Sequence, residues 1–339
     1  MKKLITFTFV FLSTFLLSQK FKIDTLLTDK ISIRAIQIWD GKVWYAGTDS
    51  KFGYVEIDDK SDKKQIKLSD KKLQFRTLAQ DGTDFYTINI ESPAYFFKID
   101  KKTLKSEIFH TDSAKTAFYD SFAIQSKNLG IAISDPDEDS FPRYFNFNNN
   151  KNYEMLNYPK YDKGEAHFAA SNTNISINNN IIWIATGGSK ARIFRFNWNY
   201  PKFWEVFNTP FVQGTPSKGI YSIDFYGKKG FGIAVGGDYT KQSENVNNIA
   251  TTNDGGQTWQ IQASGQNAGY MTCVKFRPKT KGKEIVAVGD QHISFSSDYG
   301  KTWTKISDEK NLYACEWADK NTLILAGKDK IIRLKFSGN

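Results

Sequence analysis

Short apolar runs separated by polar turns recur along this chain, and within many runs apolar and polar positions alternate. This alternation is typical of half-buried β-strands, whose successive side chains point to opposite faces of a sheet. The apolar positions are mostly Phe, Tyr, Trp, Ile and Val, which favour strands. Helical periodicity is nearly absent, so the pattern predicts an all-β protein.

One strand pattern recurs at intervals: an apolar strand that ends in a small or polar residue. Its seven copies lie at 43–47, 85–89, 130–134, 182–186, 232–236, 284–289 and 322–327. Strand units that recur along a chain in this way, each contributing its own share of the core, are typical of propellers. The pattern therefore predicts a seven-bladed β-propeller, formed as a single domain by residues 20–339.

The two ends of the chain are expected to close this propeller. The last repeat supplies three strands before Asn339, and we expect the segment from Phe21 to Leu27 to supply the fourth. Such a closure removes the sheet edges that an open array would expose.

Two octapeptides, 44 positions apart, share the pattern Ser/Thr-x-Asp-x-Gly-x-Thr-Trp. In this pattern the Asp and Ser/Thr side chains bond nearby backbone amides, Gly supplies a positive φ, and Trp covers the turn. The residues are Thr252, Asp254, Gly256 and Trp259 in the first copy and Ser296, Asp298, Gly300 and Trp303 in the second. The pattern is similar to the Asp-box, or bacterial neuraminidase repeat, which ties a hairpin of a propeller blade. We therefore interpret both copies as Asp-box hairpins with a structural role.

Residues 1–19 have the pattern of a cleavable signal peptide. Lys2 and Lys3 precede a 14-residue apolar run from Leu4 to Leu17. That run is shorter than the roughly 20 residues of a membrane-spanning helix. No later segment is apolar enough to span a membrane, so the sequence predicts a periplasmic or secreted protein without a transmembrane segment.

The chain is basic, with 46 Lys and Arg residues against 36 Asp and Glu residues and a net charge of +10. A basic exported protein could meet an envelope protein or another anionic ligand. Lys dominates and clusters in predicted loops, where a solvated surface is the simpler interpretation. No nucleic-acid-binding motif is present, so we expect no nucleic acid partner, and we expect a monomer.

The innermost strands of a propeller begin at one mouth of its tunnel, so residues there are candidates for ligand or partner binding. With the loop residues beside them, these candidates are Arg34, Arg76, Asp120, Glu165, His167, Arg192, Asp238 and Tyr239. Arg can bind a carboxylate through two parallel hydrogen bonds. The alternative interpretation is that these side chains cap strand ends and satisfy buried backbone groups.

The octapeptides, the N-terminal signal and the run from Gly219 to Phe225 followed by Gly236 to Tyr239 resemble the photosystem II stability/assembly factor-like family. The stretches 164–172 and 185–192 are similar to the same family. The resemblance covers most of the chain and implies a seven-bladed propeller that binds protein partners during assembly. Bacterial members often carry an oxidoreductase label, for which this sequence contains no redox motif.

A sialidase or another glycoside hydrolase acting on an anionic glycan is the alternative function, because Asp-boxes are common in those propellers. Sialidases resemble one another in an arginine triad, a Tyr nucleophile paired with Glu, and an acid/base Asp. Arg34 and Arg76 lack the expected context, and Arg192, Arg195 and Arg277 fall on later strands or loops. We therefore favour a protein without catalytic residues.

The sequence predicts neither a cofactor nor a metal, since it lacks zinc spacing, a P-loop and a dinucleotide fingerprint. The acidic run from Asp135 to Ser140 could hold calcium, but it lacks the features of an EF-hand loop, and an acidic hairpin is the favoured interpretation. Cys273 and Cys315 fall in neighbouring inner strands, which leaves open a disulfide or two buried thiols.

Overall fold

The computed structural model describes residues 21–127, 129–147, 158–228 and 230–337. The predicted signal peptide, residues 1–19, lies outside the described residues. Every regular element in the described ranges is a β-strand. A helix with the length and apolarity to cross a membrane is absent from this part of the chain.

The strands follow one another along the chain, joined by turns and loops. In order, they are β1 (Phe21–Trp39), β2 (Lys42–Gly47), β3 (Lys51–Glu56), β4 (Lys63–Lys67), β5 (Ala79–Gln80), β6 (Asp84–Ile88), β7 (Ala94–Asp100), β8 (Ser106–Asp112), β9 (Tyr119–Ser126), β10 (Leu129–Ser134), β11 (Arg143–Phe147), β12 (Glu165–Ala166), β13 (Ile175–Asn178), β14 (Ile181–Ala185), β15 (Gly187–Gly188), β16 (Arg192–Asn197), β17 (Trp204–Asn208), β18 (Lys218–Tyr226), β19 (Phe231–Asp238), β20 (Ile249–Thr252), β21 (Gln260–Ile261), β22 (Cys273–Phe276), β23 (Ile285–Gly289), β24 (His292–Ser296), β25 (Thr304–Ser307), β26 (Leu312–Trp317) and β27 (Thr322–Phe336).

The protein is an all-β propeller, but its described strands form six sheets, so the prediction of seven blades was wrong. The sheet orders are β26-β27-β1-β2-β3-β4, β5-β6-β7-β8, β11-β10-β9, β13-β14-β16-β17, β12-β15-β18-β19-β20-β21 and β22-β23-β24-β25. The seven repeated segments are all strands, as the apolar pattern indicates. The count differs because β1 and β27 are long and continuous, which joins the first and last repeats in one six-stranded sheet.

The N-terminal strand pairs with the C-terminal strand, as the sequence analysis expects. Residues from Phe21 to Thr28 lie antiparallel to the stretch from Phe336 to Lys330, and the later half of β1 pairs with β2. Arg333 reinforces the contact, because its guanidinium donates to both carboxylate oxygens of Asp24, at 3.1 and 2.9 Å. The chain ends therefore hold each other within one sheet.

The core lies between the faces of adjacent sheets, where apolar side chains from neighbouring repeats interdigitate. One cluster, for example, packs Val286 and Val288 of β23 against Leu325 and Leu334 of β27, all fully buried. Alternation along each strand directs these residues inward on both faces. Cys273 and Cys315 lie in this cluster as free thiols, with their sulfur atoms 3.7 Å apart.

The two octapeptides make matching local contacts. In the first, the Gly256 amide donates to the Thr252 hydroxyl at 3.0 Å, and the Thr258 amide donates to Asp254 at 3.0 Å. The Trp259 indole donates to the Gly256 carbonyl at 3.0 Å. Ser296, Asp298, Gly300, Thr302 and Trp303 repeat these bonds in the second copy. The Asp254 and Asp298 carboxylates thus bond within their own turns.

Leu27→Ala tests the closure of the chain ends. Leu27 is buried against β27, opposite Ile331, so its truncation should leave a cavity and lower the free energy of unfolding by about 2–5 kcal/mol. Chemical denaturation measures this change, and Lys22→Ala, at an exposed position of the same strand, is the matched control. A Leu27→Ala variant as stable as the control would mean that the N-terminal strand is not docked.

Candidate functional site

The segment from Phe168 to Asn174, between β12 and β13, crosses the central tunnel and bonds to the innermost strands around it. We call it the plug. Asn172 accepts a hydrogen bond from the Phe122 amide at 2.7 Å and donates to the Leu78 carbonyl at 2.9 Å. The Ser171 hydroxyl donates to the Thr272 carbonyl at 2.6 Å. The plug therefore connects strands that are far apart in sequence.

Local sequence explains how the chain adopts this path. Asn172 has a φ of 62°, a left-handed conformation that Asn tolerates better than most residues. The Phe168 ring stacks on Tyr221 with ring centroids 3.9 Å apart. A Cβ atom at Gly187 would lie 2.2 Å from that Phe168 ring, so the site requires glycine there.

The plug forms one wall of a cavity of about 430 Å³ at the tunnel mouth, which we call the mouth chamber. Its charged lining residues are Arg34, Arg76, Asp120, Asp135 and Asp290. Its aromatic lining residues are Phe118, Phe168, Tyr221, Tyr239 and Tyr270, and His167 and Gln242 also contribute. The structure thus brings together five predicted residues: Arg34, Arg76, Asp120, His167 and Tyr239.

The two arginines of the mouth chamber are both anchored on the plug. Arg34 donates from Nη1 to the Ala170 carbonyl at 3.1 Å and lies over the Tyr313 ring, 4.0 Å from its centroid. Arg76 donates from Nη1 to the Ala169 carbonyl at 3.4 Å. Burial, and then the nearby positive charge of Arg34, lower the pKa of Arg76. The remaining guanidinium N–H groups make no other bond among the described residues, so they remain available to a ligand.

Two aspartates form the acidic side of the mouth chamber. Asp120 is fully buried, and no donor within the described ranges makes a well-formed hydrogen bond to either of its carboxylate oxygens. Burial and the Asp135 carboxylate raise the pKa of Asp120 well above its usual value, although Arg76 and the Ala169 amide oppose this shift. Burial also raises the pKa of Asp135 to about 6, although its Oδ1 accepts the His167 amide at 3.0 Å.

His167 is a structural residue within the wall. Its Nδ1 lies 3.1 Å from the Ala185 carbonyl, which can only accept, so we assign the proton to Nδ1. The other ring nitrogen then accepts from the Tyr161 hydroxyl at 3.0 Å. Burial lowers the pKa of His167 to about 4, so this side chain is neutral at pH 7.

Glu165 and Arg192 bind each other and do not line the mouth chamber. Arg192 donates from Nε to Glu165 at 3.0 Å and from Nη2 to the second oxygen. Thr186 and the Asp162 amide also donate to Glu165, at 2.6 and 3.0 Å. The pair joins β12 to β16, which gives these two predicted binding residues a structural role.

Asp238 is likewise directed at its own loop. Its Oδ1 accepts hydrogen bonds from the Thr240 amide and hydroxyl, at 2.9 and 2.6 Å. The next residue, Tyr239, is half exposed at the edge of the mouth chamber. Of this neighbouring pair, only Tyr239 is placed to contact a ligand in the chamber.

Asp135 and Asp290 were missed as chamber residues by the sequence analysis. Each immediately follows a second strand, β10 or β23. Because the second strand runs antiparallel to the first, its end returns to the mouth where the first strand begins. The predicted chamber residues came only from the starts of innermost strands and the loops beside them, and Asp135 was interpreted as part of an acidic hairpin. Asp137 does close that turn, since its carboxylate accepts the Asp139 and Phe141 amides at 3.0 and 2.9 Å.

A smaller cavity, of about 210 Å³, lies on the opposite side of the plug. Its charged side chains satisfy one another or the backbone. Lys275 donates to Glu316 at 2.6 Å, and Asp224 accepts the Phe276 amide at 2.9 Å. The mouth chamber differs because its carboxylate and guanidinium groups keep unused bonding capacity.

Several solved structures share this fold. YCF48 bound to a D1 peptide is 13% identical with a TM-score of 0.66, covering 94% of this chain and 97% of that chain. Streptogramin B lyase is 15% identical with a TM-score of 0.67, covering 94% and 98%. The RRP9 WD40 repeats are 10% identical with a TM-score of 0.65, covering 93% and 97%. At these identities the likeness shows the β-propeller fold alone.

No protein-family model and no curated protein matches the chain. The resemblance to the photosystem II stability/assembly factor-like family is therefore supported at the level of the fold, through the likeness to YCF48.

Arg192→Ala tests the structural role of the Glu165–Arg192 pair. The substitution leaves a fully buried carboxylate without its cation, so we expect the free energy of unfolding to fall by about 3–5 kcal/mol. Lys305→Ala, which breaks an exposed pair with Asp308, should lower the free energy of unfolding far less, because water and salt screen exposed ion pairs. Chemical denaturation compares the two variants, and equal losses would contradict this role.

Proposed function

We propose that this protein is a binding module that holds a polypeptide partner in the mouth chamber. Arg34 and Arg76 bind a carboxylate of the partner, and the aromatic wall packs against its apolar groups. The protein acts as an exported monomer, and its partner is a protein of the cell envelope. Among the structures that share this fold, the YCF48 propeller has a D1 peptide bound, which supports the proposal.

The position of the two arginines carries this proposal. Each guanidinium uses one N–H group on a plug carbonyl and leaves the others free. Burial lowers the pKa of Arg76, and the nearby positive charge of Arg34 lowers it further because the two cations repel each other. A bound carboxylate would relieve this repulsion and accept charge-assisted hydrogen bonds from both side chains.

The shape of the chamber is suited to a peptide side chain or chain terminus. A cavity of about 430 Å³ lies within the range of small-ligand sites. Tyr221, Tyr270 and Phe168 form a packed aromatic wall, because Tyr221 also meets Tyr270 edge to face at 4.9 Å. Rigid aromatic groups beside arginine are typical of residues that dominate the affinity of protein interfaces.

A glycoside hydrolase is the second candidate function. The observation that favours it is the presence of Asp120 and Asp135 in one chamber, both with raised pKa, since glycosidases use a pair of carboxylates. We rank it second because both oxygens of Asp120 are buried and therefore poorly placed to reach a glycosidic oxygen.

The test of partner binding is a pull-down from envelope extract with the wild-type protein and an Arg34→Ala/Arg76→Ala variant. The wild type should retain a specific protein, and the variant should retain at least about 10-fold less, because two charge-assisted hydrogen bonds are lost. Lys63→Ala/Lys64→Ala is the matched control, since it removes the same charge from the exposed strand β4. Circular dichroism melts verify that all variants fold.

Equal retention by the arginine variant would contradict the proposed site. If no protein is retained and the wild type cleaves fluorogenic glycosides while Asp135→Asn does not, the hydrolase interpretation replaces the binding module.

A further inference from the structure

The mouth chamber holds three carboxylates and two guanidinium groups. Asp120, Asp135 and Asp290 face Arg34 and Arg76 in the same cavity. His167 adds no charge at pH 7, since burial lowers its pKa to about 4. The carboxyl groups of the cavity thus outnumber its guanidinium groups by three to two. Charges taken out of water are costly unless they are paired.

The carboxylates are also short of hydrogen-bond donors. Neither oxygen of Asp120 accepts a well-formed hydrogen bond from the described residues. Asp135 uses Oδ1 on the His167 amide, and no described residue donates to its Oδ2. Asp290 accepts from Gln242 at 3.0 Å. The two oxygens of Asp120 are therefore buried without a well-formed hydrogen bond, whereas buried polar groups are normally satisfied.

We propose that Asp135, with Asp120 behind it, forms a subsite for a primary ammonium group, and that the partner inserts a lysine side chain there. An ammonium carries one positive charge and three N–H donors, and it can donate to the Asp135 carboxylate oxygen that no described residue bonds. This inference rests on the proposed function, since it specifies the second group that the partner presents beside its carboxylate. Asp135 is partly exposed and makes the contact, and the buried Asp120 adds negative potential.

A metal ion fits this subsite less well. No group of three or more Asp, Glu, His or Cys residues in the described ranges is arranged to hold one. Arg76 also lies close enough to Asp120 to oppose a second, divalent positive charge. A monovalent ammonium on a flexible alkyl chain can reach Asp135 along the aromatic wall while its methylene groups pack against Tyr221 and Phe168.

The test uses n-butylammonium, the chemical equivalent of a lysine side chain, with n-butanol and n-butyrate as neutral and anionic counterparts. Each probe is titrated to 50 mM, on the order of the weak affinity expected for so small a ligand, into the ¹⁵N-labelled protein, with the amides of the plug as reporters. At pH 7.5 we expect the dissociation constant of n-butylammonium to be at least about 10-fold below that of n-butanol.

Asp135→Asn should abolish this difference and leave n-butanol binding unchanged. Asp120→Asn should weaken the amine by a smaller factor, since Asp120 acts behind Asp135. The preference should also diminish between pH 7.5 and pH 5, as Asp135, whose pKa burial raises to about 6, becomes protonated. The other charged groups that face Asp135 in the chamber are Asp120, Asp290, Arg34 and Arg76, and the pKa values of Asp120 and Asp290 are also raised by burial.

The n-butyrate titration tests the carboxylate site of the proposed function, and the n-butylammonium titration tests the ammonium subsite separately. Binding of n-butyrate that Arg34→Ala/Arg76→Ala removes reports on the carboxylate site of the proposed function, and its failure would leave the amine result intact. Equal affinity for the amine and the alcohol, or wild-type amine affinity in Asp135→Asn, would overturn the ammonium subsite. Stronger perturbation of the same amides by calcium than by the amine would also overturn it.

Discussion

The hydrogen bonds of the plug are the constraint on which the rest of the site depends. A propeller tunnel lined only by innermost strands would run through the molecule, but in this protein Asn172 and Ser171 bond to strands on different sides of it. The carbonyls of Ala169 and Ala170, in turn, hold Arg76 and Arg34 in place. One short segment therefore closes the tunnel, forms a wall of the mouth chamber and orients its cations.

Closing the tunnel has an electrostatic consequence. Because the plug excludes solvent from one side, the charged groups at the mouth lie in a partly buried cavity where unpaired charge is costly. In the cavity beyond the plug, Lys275 and Glu316 form an ion pair with each other. The carboxylates of the mouth chamber have no such lysine partner among the described residues, and burial raises the pKa of Asp135 and Asp290. This incomplete pairing is the feature on which the proposal of a binding site in the mouth chamber rests.

Much of the fold could be predicted from the sequence, because strand alternation and the octapeptide turns are local properties. The number of sheets could not be predicted from the sequence, because the continuity of β1 and β27 depends on how the chain ends pair. Glu165 and Arg192 were predicted as binding residues on sequence position alone, yet their mutual bond requires β12 and β16 to meet. The plug has no strand pattern, so its path, and with it the shape of the site, depends on tertiary contacts. Asp135 and Asp290 could have been found by asking which residues follow the second strands.

The most direct test of this account is amide hydrogen exchange across the plug in the wild type and in Asn172→Ala. The account predicts that residues 168–174 exchange far more slowly than the exposed turn at 58–62, and that Asn172→Ala accelerates exchange at Phe122, whose amide loses its acceptor. Exchange of the wild-type plug as fast as that turn would contradict the account, because a segment that opens freely could neither close the tunnel nor hold Arg34 and Arg76.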